Sequence, residues 1–89
     1  MKVLIYIHGS LSYGGANEKH KVTFKERPNV REVVRYAVEL IMDSQRSISV
    51  YNGSVLVIVG RSVVRPDLWD DTILSDGDVC LLALPLQGG

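Results

Sequence analysis

The chain opens on KVLIYIH, Lys2 to His8, where Val3, Ile5 and Ile7 fall on one side of an extended backbone and Leu4, Tyr6 and His8 on the other. β-Branched and aromatic residues repeating with period two predict a first strand. Gly9 to Asn17, GSLSYGGAN, is dense in glycine, serine and asparagine, the composition of a flexible hairpin loop. From Glu18 to Lys25 the alternation resumes, with Val22 and Phe24 on one side, so this segment is expected to return antiparallel to the first strand.

The period then changes. Val30, Val33, Val34, Ala37, Val38 and Ile41 recur at helical spacing, with Arg31, Arg35 and Glu39 on the opposite side at distances suited to i,i+4 pairing. Asn29 stands where an N-cap belongs, and Glu32 follows three residues later, the capping-box pattern that supplies partners for amides a helix start leaves without any. The spacing predicts one amphipathic helix from about Val30 to Asp43. Beyond it, SQRSISVYNGS is polar and weakly patterned; it reads as a loop with room for a short strand at Ile48 to Tyr51, and Asn52-Gly53-Ser54 reads as a turn.

Val55 to Val59, VLVIV, is strongly β-prone, and Gly60-Arg61 turns it into a short partner at Ser62 to Val64, which Pro66 ends. DLWDDTILSDGD is a turn-rich crossing with Leu68, Trp69, Ile73 and Leu74 as expected anchors and Asp76-Gly77-Asp78 as a turn. A last strand runs from Val79 to Leu84; Pro85, with no amide to donate, ends its ladder. The order is β, β, α, β, β, β, with one helix to cover one face. Near-continuous apolarity in the first and last strands places them side by side and parallel in the middle of the sheet, with the tail leaving from its centre.

Composition narrows the function classes. Eighty-nine residues make one domain, large enough to fold around its own core. Ten basic and ten acidic residues cancel, which removes the positive field of a nucleic-acid binder. The longest apolar runs are too short for a signal-peptide core or a bilayer span, so no membrane role is expected, and a cytoplasmic location is. Cys80, the single cysteine, lies in the apolar run DVCLLAL, the setting of a buried thiol.

The usual catalytic patterns do not assemble. YGGAN, Tyr13 to Asn17, lacks the lysine and the strand-to-helix placement of a phosphate cradle. His8, His20 and Cys80 lack metal-ligand spacing, and Asp67, Asp70, Asp71, Asp76 and Asp78 read as turn-forming and solvated carboxylates before they read as a cation site. Ser10 and Ser12 lie near His8 and His20 without anything that sets a nucleophile against a base.

The distinctive stretch is LSDGDVCLLALPLQGG, Leu74 to Gly89: an acidic-Gly-acidic turn opens the last strand, and a proline-containing tail closes on two glycines. At the end of a hairpin, a helix and further strands, it resembles the β-grasp (ubiquitin-like) fold, and specifically the small sulfur carriers of the ThiS and MoaD type. The resemblance implies an α+β domain over residues 1–84, a mixed sheet of four to five strands with one main helix on one face, and a flexible Gly-Gly tail over residues 85–89.

It also implies a function. The Gly89 carboxylate would be adenylated by a separate E1-like enzyme of the MoeB or ThiF type, which uses the ATP, and would then become a thiocarboxylate; the carrier itself binds no cofactor or metal and is a protein co-substrate, not an enzyme. A sulfur donor such as a cysteine desulfurase or rhodanese, and an acceptor synthase, complete the set of partners. Pro85, Leu86, Gln87, Gly88 and Gly89 would thread into the partner's active site: glycines allow close backbone approach, and five extended residues reach on the order of 17 Å. Leu82, Leu84 and Leu86, alternating toward the tail, are the expected docking residues, with a place in the core the competing role for Leu82. Leu84 and Gln87 depart from the common family ending, where a second proline and a small residue are frequent. That leaves open whether the sulfur goes to a molybdopterin precursor, a thiamin-thiazole precursor, tRNA or an amino-acid pathway. The same tail would equally serve a ubiquitin-like modifier joined through Gly89 to lysines of target proteins, and a β-grasp binding module would keep the fold without the chemistry.

Overall fold

Two strands from opposite ends of the chain lie side by side at the middle of one sheet. The computed structural model describes residues 1–9, 11, 16–41 and 55–84. In these, β1 (Lys2–Ile7), β2 (Glu18–Thr23), α1 (Val30–Ile41), β3 (Leu56–Val59), β4 (Ser62–Val63), a 3₁₀ turn (Pro66–Leu68) and β5 (Val79–Ala83) follow in chain order. The sheet runs β2-β1-β5-β3-β4. β1 and β5 are parallel, with Leu4 opposite Val79 and Ile7 opposite Leu82, and every other neighbouring pair is antiparallel. The expected order of elements and the central parallel pair are both present. The short strand expected at Ile48 to Tyr51, the turn at Asn52-Gly53-Ser54, the last residues of the expected helix and most of the first hairpin loop lie outside the described residues.

Alternation decides which side of each strand is buried. Val3, Ile5 and Ile7 of β1, Val22 of β2, Val57 of β3, and Cys80 and Leu82 of β5 point to one face, where Val30, Val33, Val34 and Ala37 of α1 meet them. Each fully buried aliphatic side chain contributes about 1.5–3 kcal/mol relative to exposure, so this two-layer contact is the main source of stability.

Capping at the start of α1 differs from the expected box. The Asn29 side-chain oxygen accepts the Glu32 amide at 2.9 Å. The Val30 and Arg31 amides, however, donate to the carbonyls of Thr72 and Trp69, and the Val33 amide donates to the Asn29 carbonyl. The Val30, Arg31 and Glu32 amides, which the helix itself leaves without partners, are thus satisfied, and among the described residues the Glu32 carboxylate makes no return bond. Arg31 also turns away from the helix surface: its guanidinium pairs with Asp70 and lies 5.6 Å from the Trp69 ring centroid. The crossing segment therefore fastens the helix start to the body of the domain.

Of the four anchors expected in that segment, Trp69 and Leu74 are buried, and Trp69 donates its indole N–H to the Val64 carbonyl at 3.0 Å. Leu68 and Ile73 are instead exposed. The 3₁₀ turn and the isolated bridge from Asn29 to Ile73 break any fixed period, and each turns its neighbour's side chain to the core.

Candidate functional site

The site begins with the turn that launches β5. Asp78 accepts the Ser75 amide through its carboxylate at 2.7 Å and returns its own amide to the Ser75 carbonyl at 3.0 Å. Gly77 sits between the two aspartates at φ 87°, a conformation costly for a residue with a Cβ. Its amide donates to the Lys2 carbonyl at 2.7 Å, while Asp76 accepts the Lys2 amide at 2.6 Å and the Asp78 carbonyl accepts the Leu4 amide at 3.0 Å. One turn thereby sets the register of β5 against β1. At the far end, the His8 amide donates to the Leu82 carbonyl at 2.9 Å, so the two strands stay paired until β5 ends at Ala83. The chain passes from the centre of the sheet into Leu84, the last described residue before the tail.

The residues expected to dock separate into different environments. Leu82 is 0% exposed and faces α1. It is a core residue, contrary to the docking role, because it shares its side of β5 with Cys80 and lies opposite Ile7 of β1 and Val57 of β3. Leu84, beyond the last sheet pairing of β5, is 42% exposed, and no pairing places it in either face of the sheet. Pro85, Leu86, Gln87, Gly88 and Gly89 lie outside the described residues.

The face turned away from α1 supplies the apolar surface that Leu82 does not. Tyr6 of β1, Leu81 of β5, Ile58 of β3 and Val63 of β4 stand opposite one another in a row across the sheet. Leu4 with Val79, and Leu56 with Ala83, form rows on either side. All are at least partly exposed, Val63 at 55% and Val79 at 40%. A contiguous apolar patch on a sheet face that the helix does not cover is the kind of surface that meets another protein. The alternation carried this signal: a strand apolar at every position, like VCLLAL, presents apolar side chains on both faces.

Other titratable groups have structural roles. Burial pushes the Cys80 thiol up from 9.0 to about 12, which keeps it protonated and a poor nucleophile. His20 is within 3.2 Å of the Glu18 carboxylate, and Arg65 pairs with Asp67 at 3.1 Å on the surface. Among the described residues no three histidine, cysteine, aspartate or glutamate side chains gather as metal ligands, and no helix is long and apolar enough to cross a membrane.

This arrangement, a mixed sheet with a central parallel pair, one covering helix and a last strand that ends mid-sheet, has known counterparts. No family model and no curated protein matches the chain. Two solved structures match it over 100% of both chains, each at 20% sequence identity: the thiamine biosynthesis protein ThiS from Geobacter metallireducens, with a TM-score of 0.57, and the complex of subunits 1 and 2 of the molybdopterin-converting factor from Helicobacter pylori, with a TM-score of 0.62. This is the ThiS/MoaD β-grasp fold. The fold class, the helix on one face and the sheet expected from the sequence are those found.

Proposed function

We propose that the chain is a cytoplasmic protein sulfur carrier, a co-substrate whose Gly89 carboxylate is activated and loaded by partner enzymes. The observation that carries this reading is the placement of β5: the middle strand of the five-stranded sheet leads in sequence into LPLQGG, so the Gly-Gly segment follows the strand at the sheet centre. A carboxylate resists substitution until an oxygen is made a leaving group; adenylation by an E1-like enzyme, with ATP giving up pyrophosphate, does this. A sulfide-level nucleophile then displaces AMP to leave the thiocarboxylate, or a persulfide displaces AMP to give an acyl disulfide that a thiol reduces to the thiocarboxylate. The acyl-adenylate has to be kept from water, which favours a narrow guest inside a closed partner site. Leu86, Gln87, Gly88 and Gly89 suit that passage, and the apolar sheet face suits the docking that precedes it. The sulfur then passes to an acceptor synthase of molybdopterin or thiamin formation, or to tRNA.

Deleting Gly89 tests the reading. A host in which the shortened chain replaces the native one is expected to stop making the dependent sulfur-containing product, and normal product would overturn the carrier role. Gly-Gly remnants on lysines of other proteins, in place of a thiocarboxylate on the free chain, would assign the activated tail to protein modification instead.

A further inference from the structure

Three lysines stand along one side of the open sheet face. Lys19 and Lys21 of β2 lie opposite Tyr6 and Leu4 of β1, and Lys2 opposite Thr23, so all three side chains share the face with the apolar rows. All are exposed. The Lys19 ammonium lies 5.6 Å from the Tyr6 ring centroid, its stem laid along the edge of the patch. Lys2 and Lys21 flank an open pocket of about 230 Å³ that Leu4, Gly77 and Val79 help to line.

Five carboxylates have partners other than the ammonium groups of these lysines. Glu18 is beside His20, Asp70 is on Arg31, and Asp67 is on Arg65. Asp76 and Asp78 accept backbone amides in the turn before β5. Among the described residues none of the three lysines takes part in an ion pair. Lys2, Lys19 and Lys21 therefore line one side of the open face as positive charges without an ion-pair partner among the described residues. Neighbouring ammonium groups repel, and an oppositely charged surface brought against them removes that repulsion.

We propose that the partner surface docking on this face carries an apolar centre and, beside it, carboxylates that meet Lys2, Lys19 and Lys21, one of them entering the pocket between Lys2 and Lys21. This rests on the reading that a partner enzyme docks through the apolar rows. A protein fits better than a nucleic acid, because a phosphate backbone has no counterpart for Tyr6, Leu81 and Ile58 at the middle of the same face. Charges at the rim of an interface act mainly on the association rate, and salt weakens their effect.

The test uses the activating enzyme of the same host and stopped-flow association over a range of NaCl concentrations. It compares the full chain, the triple variant Lys2→Gln/Lys19→Gln/Lys21→Gln and the variant Ile58→Glu, with thermal unfolding checking that each is folded. The triple variant is expected to associate about tenfold more slowly than the wild type at low salt, with the difference closing at high salt and dissociation little changed. Ile58→Glu is expected to abolish binding at every salt concentration. If Ile58→Glu blocks binding and the triple variant matches the wild type at low salt, the acidic-partner proposal falls and the docking face stands. If Ile58→Glu binds as the wild type does, or the wild type does not bind, the docking reading falls and takes this proposal with it. Wild-type retention on random-sequence duplex DNA that the triple variant loses would also overturn it, in favour of a nucleic-acid surface.

Discussion

The Lys2 amide donates to the Asp76 carboxylate at 2.6 Å, and the Lys2 carbonyl accepts the Gly77 amide at 2.7 Å, so one residue of β1 is held on both backbone groups by the turn that starts β5. The strand that leads to the tail is therefore registered at its entry. Asp76→Ala is expected to cost about 1 kcal/mol, a fall in Tm of several degrees for a domain this small. Gly77→Ala meets nothing within 4 Å, so its expected cost of about 1–2 kcal/mol is purely that of the left-handed backbone at φ 87°. Chemical denaturation of the two variants checks both values.

Leu81 and Leu82 are neighbours with opposite duties. Leu81 stands on the open face between Tyr6 and Ile58, while Leu82 is buried under α1. Leu81→Glu is expected to leave the fold intact and abolish ATP-dependent activation by the partner enzyme. Leu82→Ala is expected to lower stability by about 2–5 kcal/mol, yet the folded fraction should still be activated. Unfolding curves and pyrophosphate exchange, measured on both variants, separate the two roles.

Trp69 closes the end of the core, with its ring under Arg31 and its indole N–H on the Val64 carbonyl. Trp69→Phe retains most of the apolar area but leaves that carbonyl without its buried donor, an expected loss of about 1–3 kcal/mol. Removing the ring in Trp69→Ala should cost about 3–5 kcal/mol. Urea denaturation followed by circular dichroism measures both, since the variants lose the chain's single tryptophan fluorophore.

Cys80 gives the fold an alkaline limit. Its thiol titrates higher in the folded chain, at about 12, than the ordinary value of 9.0, because burial disfavours the thiolate. The unfolded chain therefore releases this proton first. The associated stability is fully present below about pH 9 and is lost progressively as the pH rises toward 12. Cys80→Ala is expected to flatten that part of the stability profile. In the native protein at neutral pH the thiol should react with alkylating agents only as fast as the chain opens.

Much of this arrangement is legible in the sequence where the periodicity is clean. The alternation in KVLIYI, the helical spacing from Val30 to Ala37 and the unbroken apolarity of the first and last strands lead to the parallel pair at the sheet centre. The open sheet face is harder to read, because a strand apolar on both sides does not announce which side is covered. The phase of β5 was nonetheless available: a buried Cys80 places Leu82, two residues on, on the same buried side. Leu68 and Ile73 escaped for a different reason. They lie in a 3₁₀ turn and an isolated bridge, where no period links one side chain to the next.

Sulfur carriage by Gly89 is tested by mass spectrometry of the intact chain purified gently from its own host, with fragmentation that assigns any added mass to a residue. A species in which one oxygen of the Gly89 carboxylate is replaced by sulfur is expected, formed only when ATP, the activating enzyme and a sulfur source are present. A Gly89 that stays unmodified with all three supplied would contradict sulfur carriage.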